Sequence, residues 1–160
     1  MKSLKIESTL DIFDSMEALP LEVLMLMQRA IEARKNAYAP YSEFNVGAAL
    51  LLDNNEIITG SNQENASYPS GLCAERTAVY YAASQYPSAK MLTLAIVGGS
   101  QLKTSSVPIP PCGACRQAIA EYEMKQASPI AIYFMGETGQ VLKSDSLKNL
   151  LPFMFDKSAL

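Results

Sequence analysis

At 160 residues, 49% of them apolar and 18% charged, the chain has the size and composition of one ordered domain with its own core. Thirteen Lys and Arg against sixteen Asp and Glu leave a net charge of −3 with no basic run, which argues against a surface for long phosphate backbones. There is no basic leader before a long apolar segment and no apolar run near the roughly 20 residues that span a bilayer. A soluble, cytoplasmic protein with no nucleic-acid or membrane partner is expected.

Residues 1–20, "MKSLKIESTLDIFDSMEALP", have mixed periodicity and end at Pro20; they read as an N-terminal arm or strand ahead of a single domain over 21–160. Over 21–37, Val23, Leu24, Met27, Ala30 and Ile31 recur at helical spacing and predict one apolar helix face. "YAPYSEF" breaks that helix. "FNVGAALLLDNNEIITGSN" predicts two strands joined at residues 53–55, where Asp and Asn tolerate a left-handed backbone.

"GLCAERTAVYYAASQ" places Ala74, Ala78, Tyr81 and Ala82 on one face of a helix starting near Cys73. "MLTLAIVGG" has the continuous apolar character of a buried strand. Residues 99–111, rich in Ser and Pro, read as a loop, and a second cysteine-bearing helix runs from Cys112 to about Met124. "PIAIYFM" and "QVLK" are strands around a turn at "GETG", and Ser144 or Asp145 is placed to cap a short closing helix in "SLKNLL". With no repeat and no internal linker, the alternation of strands and helices predicts an α/β layered domain with helices on both sheet faces.

The chain has three cysteines and no histidine. An odd cysteine count in a reducing compartment disfavours a disulfide framework, and the lack of imidazole excludes serine–histidine and cysteine–histidine nucleophilic arrangements. In "PCGACRQ", Cys112 and Cys115 stand at i and i+3, on one side of a helix, while Cys73 opens another helix. A thioredoxin-like redox pair explains C-x-x-C alone but leaves Cys73 and Glu75 unexplained. A metal site explains all four residues. Helix N-termini favour thiolates, thiolates select zinc or iron–sulfur clusters, and a zinc with three protein ligands and one open position is the catalytic rather than the structural arrangement. Glu75, two residues from a ligand, is close enough to meet a water in that open position. Three thiolates overcompensate the charge of zinc, and Arg76 is placed to offset this or else is simply a solvated helix arginine.

These segments resemble the zinc-dependent cytidine deaminase family. The likeness runs from about residue 33 to 155 through "YAPYSEFNVGAAL", "GSNQENASYP", "CAERTA", "PCGACRQ" and "LLPFMF". The first twenty residues and the loop "QLKTSSVPIP" lie outside it. Three cysteines without histidine are similar to the small free-nucleoside enzymes of that class. The resemblance implies a three-layer α/β/α sandwich around a mixed five-stranded sheet. It also implies one zinc per chain on Cys73, Cys112 and Cys115, and a homotetramer with shared active sites.

The activity it implies is hydrolytic deamination of cytidine and 2′-deoxycytidine to the uridines in pyrimidine salvage, with Glu75 as proton carrier. By the same resemblance the Ala74 backbone N–H is a donor to pyrimidine O2. Asn62 and Glu64 of "NQEN" match a ribose-binding pair, and a carboxylate there disfavours a substrate phosphate. Phe44 and Phe155 match aromatic positions that pack on the base, and Ala66 and Tyr68 match positions lent to a neighbouring subunit's site. The competing readings are a deaminase of a cytosine-nucleoside antibiotic such as blasticidin S, whose family lacks the "NxEN" signature, and a noncatalytic zinc-stabilised binding module, which has no use for Glu75.

Overall fold

In the computed structural model, which describes residues 1–157 and 160, six strands and three α-helices build one mixed sheet covered on both faces. The strands are β1 (Asp11–Phe13), β2 (Phe44–Leu52), β3 (Ile57–Ser61), β4 (Met91–Ser100), β5 (Ala131–Met135) and β6 (Val141–Ser144), in the order β1-β6-β5-β4-β2-β3. Only β4 and β5 run parallel. That pair is joined through α3 (Gly113–Gln126), whereas the antiparallel β2 and β3 need only a tight turn, with Asn55 left-handed at φ 67°.

The period of two along the central strands separates the core into two halves. Ala49 and Leu51 of β2, Ala95 and Val97 of β4, and Tyr133 and Met135 of β5 face α1 (Leu21–Arg34), which buries Leu26, Met27 and Ala30 against them. Their neighbours Ala48, Leu50, Leu94, Ile96, Ile132 and Phe134 face the opposite layer, where α2 (Ala74–Gln85) and α3 contribute Ala78, Val79, Ile119 and Ala120. Burial on both faces is why "AALLL" and "LAIV" carry no polar alternation.

The three-layer expectation therefore holds, with one correction: the sheet has six strands, not five. The extra strand comes from the N-terminal arm, where β1 pairs antiparallel with β6 and Lys143 bridges Asp11 and Asp145 at 3.3 and 2.6 Å. A second correction concerns the closing helix. It is a single 3-10 turn, Leu147–Asn149, capped by Ser146 rather than Ser144 or Asp145. Ser144 ends β6, and its hydroxyl is spent on the Ser146 carbonyl at 2.7 Å. Glu123 of α3 secures this turn from beneath: its buried carboxylate accepts from the Ile130 and Leu147 N–H groups and the Ser146 hydroxyl.

Two strand glycines set how closely the helices approach the sheet. A Cβ on Gly47 of β2 would stand 2.1 Å from the Ala30 carbonyl oxygen of α1, and one on Gly60 of β3 would stand 2.4 Å from that of Ala74 in α2. Both obstacles are backbone, so relief requires the helix to move. Gly60→Ala is expected to lower stability by at least the roughly 1–3 kcal/mol typical of overpacking, read as a lower urea midpoint at unchanged slope. An unchanged midpoint would show that α2 is not held by this contact.

Candidate active site and metal centre

Two helix starts converge on one point. Cys73 is the residue from which α2 springs, extended at φ −74° and ψ 154°, and Cys112 has the same place in α3 at φ −66° and ψ 167°. Neither receives a side-chain cap, so the positive ends of both helices are left uncapped beside the cysteines. Cys115, in the first turn of α3, is fully buried. The three sulfurs lie within 4.8 Å of one another, and those of Cys73 and Cys112 are 3.9 Å apart.

That separation is far beyond the about 2.05 Å of a disulfide. It is close to the about 3.8 Å between sulfurs that share one tetrahedral zinc at about 2.3 Å each. A hydrogen bond from Cys115 brings the Cys73 thiol down to about 5 against the opposing effect of burial, with Arg76 helping. The same bond, followed by burial, drives Cys115 up. Arg76 Nη2 donates to Cys73 Sγ at 3.5 Å, and its Nε is buried with no partner among the described residues. Glu75, only 4% exposed, sits in the first turn of α2, where burial and then the neighbouring Cys73 push its carboxyl above the ordinary range.

A cleft of about 370 Å³ opens beside Cys73 and Arg76, walled by Tyr41, Asn62, Glu64 and Tyr68 among others. The wall is held by the same polar groups it displays. Asn62 Oδ1 accepts from Val46 N–H at 2.8 Å and its Nδ2 donates to the Phe44 carbonyl at 2.9 Å, fastening the start of β2. Glu64 Oε2 accepts from the Tyr41 and Ser42 N–H groups at 2.9 and 3.2 Å, and hydrogen bonds from Ser42 and then Tyr41 hold its carboxyl below the usual range. The rings of Tyr41 and Tyr68 meet at 5.9 Å and 57°.

The structure thus brings Cys73, Arg76, Asn62, Glu64 and Tyr68 to one cleft, with Cys112, Cys115 and Glu75 gathered at Cys73. Ala74 is buried at the start of α2. Phe44, Ala66 and Phe155 are not on the cleft wall. Phe44 lies beside Gly98, where an added Cβ would meet Phe44 Cε1 at 3.3 Å, while Ala66 and Phe155 are exposed. Tyr41 and Gln63 line the cleft without having been singled out in the sequence, although both fall inside its quoted segments, "YAPYSEF" and "NQEN".

Residues 22–129 match the family described as cytidine and deoxycytidylate deaminase zinc-binding region. The chain belongs to this family. A curated cytidine deaminase of Halalkalibacterium halodurans is 48% identical over 97 residues, covering 61% of this chain and 69% of the relative. That of Sporosarcina psychrophila is 37% identical over 140 residues, covering 88% and 96%. The crystal structure of cytidine deaminase from Burkholderia pseudomallei superposes with a TM-score of 0.71 at 36% identity, covering 86% of this chain and all of the other.

The family and the donor set agree on the cofactor. Three thiols within 4.8 Å of one another, one pair at 3.9 Å and two of them beginning helices, fit one zinc per chain. Elemental analysis of protein purified without chelator is expected to give about one zinc and no stoichiometric iron, and Cys115→Ala to remove it. Iron in place of zinc would overturn the assignment.

Proposed function

We propose that the chain catalyses zinc-dependent hydrolytic deamination of cytidine and 2′-deoxycytidine, giving uridine or 2′-deoxyuridine and ammonia, as a cytoplasmic enzyme of pyrimidine salvage. The observation that carries this reading is the buried Glu75 carboxyl set against the three-thiol cluster at a cleft displaying Asn62 and Glu64.

Zinc, when held by Cys73, Cys112 and Cys115, supplies Lewis acidity and makes water a nucleophile near neutral pH. Glu75 moves the protons. Its carboxylate takes one from the attacking water and delivers it to pyrimidine N3 as the oxygen adds at C4. It then carries the second proton to the departing amine, so that water and cytidine balance to uridine and ammonia. Its burial keeps bulk water from competing for those protons and places its pKa closer to that of the groups it serves.

The Ala74 N–H, in the unpaired first turn of α2, donates to pyrimidine O2. Arg76 offsets the charge crowded onto the sulfurs. Asn62 and Glu64 retain hydrogen-bonding capacity beyond their backbone bonds, because an amide has two N–H donors and a carboxylate about four acceptor sites. They hold the ribose hydroxyls, and the ionised Glu64 repels a phosphate.

Glu75→Gln is expected to keep zinc and fold but to lose about 10²–10⁴-fold in kcat/KM, followed by the absorbance change as cytidine becomes uridine. Near-normal turnover would refute the mechanism. In the same assay Glu64→Ala should raise KM for cytidine while leaving any slow turnover of free cytosine unchanged; equal effects on both would remove Glu64 from the ribose.

The working form is proposed to be a homotetramer in which Ala66, Tyr68 and Phe155 enter a neighbour's site, Phe155 covering the base. Tyr68, Phe153 and Phe155 present large apolar area to solvent in the single chain, as interface residues do. Leu150 and Met154, in contrast, pack against the core of their own subunit. Light scattering at micromolar concentration is expected to give about four chains per particle; a fully active monomer would rule out shared sites.

A further inference from the structure

"CRQ" follows the metal-binding pair, and two of its residues have no part in the chemistry above. Both reach the C-terminal segment. Arg116 Nε donates to the Pro111 carbonyl at 2.8 Å and its Nη1 to that of Leu150 at 2.9 Å. One residue on, Gln117 Nε2 donates to the Phe155 carbonyl at 2.7 Å, and its Oε1 accepts from the Phe155 N–H at 3.3 Å.

A side-chain amide paired with both backbone groups of one residue reproduces a two-bond strand bridge, and it fixes the position and rotation of that residue's backbone. Here the fixing has consequences. Residues 154–156 belong to no helix or strand, and chain ends fray unless tied down. Side chains alternate along the segment: Met154 is half-buried on the core, while Phe153 and Phe155 face outward, 78% and 63% exposed. Of these two exposed rings, Phe155 is the one whose own backbone Gln117 holds.

We infer that Gln117 is the positioning residue for Phe155: its amide fixes the backbone from which the ring is presented to the base. This rests on the reading that Phe155 covers the base. The backbone that presents the ring to the neighbouring site is thereby tied to the first turns of α3 in its own chain. Without the bridge the ring would have to be ordered anew at each binding event, which costs affinity rather than chemical rate.

Phe155→Trp supplies a reporter, because the chain has no tryptophan. In that background Gln117→Leu, close in volume but without donor or acceptor, is expected to raise acrylamide quenching about twofold or more, with zinc content unchanged. In the native background Gln117→Leu should raise KM for cytidine about tenfold, the size of effect expected from losing two exposed hydrogen bonds, and lower kcat far less. Gln117→Glu, which still accepts from the Phe155 N–H, should fall between.

Phe155→Ala separates the two layers of the argument. If it leaves KM unchanged, the base-covering reading fails and the positioning role fails with it. If it raises KM while Gln117→Leu changes neither KM nor quenching, the base-covering reading stands and the role of Gln117 is overturned. A rise in quenching with no rise in KM would also overturn it, since the bridge would then hold the segment without serving the site.

Discussion

Three sulfurs within 4.8 Å of one another cannot all be negative unless positive charge surrounds them, and much of the molecule is arranged to supply it. With protons alone the cluster settles the conflict by sharing, Cys115 raised as it donates to a lowered Cys73. Zinc settles it by charge, and the protein contributes two helix ends and the Arg76 guanidinium besides. Those contributions demand that α2 and α3 begin at one place. α2 is set against β3 by the missing Cβ of Gly60, and the approach to α3 is held by Arg116 on the Pro111 carbonyl, one residue before Cys112. The layered fold is, in this sense, a device for pointing two helix N-termini at the same ion.

The cleft shows a second constraint, that polar groups presented to a ligand must not be free to turn away. Asn62 and Glu64 are held by backbone bonds to residues 41–46, and those bonds use only part of each group's capacity. The same contacts lock the loop that carries Tyr41, so wall and hydrogen-bonding groups are ordered before any ligand arrives. Under the proposed function, this ordering lowers the entropy cost of binding a small, polar nucleoside.

How far the sequence reveals this depends on how local the cause is. The α-helices follow from the 3.6-residue period, and the central strands from apolar runs too short for helices. β1 falls where the sequence leaves arm or strand open, because three residues give almost no period and its pairing partner lies about 130 residues away in β6. The cap of the closing turn is misplaced by one or two residues because Ser144, Asp145 and Ser146 are all cap formers, and only the hydrogen bonds decide among them. The metal cluster is legible because few side chains bind zinc and the chain has no histidine to compete. The second role of Asn62 is not legible, since its partners are backbone groups 16 and 18 residues away, nor is the link from Gln117 to a residue 38 positions on.

Residues 101–110, set apart in the sequence reading, fall inside the 22–129 stretch that matches the family, and Ser105 ties them to two ordered elements of the fold. Arg34 of α1 binds the Asn45 and Gly99 carbonyls and pairs with Glu137 at 2.9 Å, both side chains about four-fifths covered. Glu137 in turn accepts from the Ser105 N–H at 2.8 Å and donates its own N–H to the Ser105 carbonyl. A pair this covered is screened less than a surface salt bridge, and its remaining hydrogen bonds offset the cost of burying it. The loop is therefore pinned at Ser105 before it descends through Ile109, which packs on Gly98 beside the Phe44 ring. On the outer side of the loop Leu102, Lys103 and Val107 face solvent. The Arg34–Glu137–Ser105 contacts therefore tie this loop to α1 and to the turn after β5, while its far end reaches the Gly98 side of the sheet at Ile109.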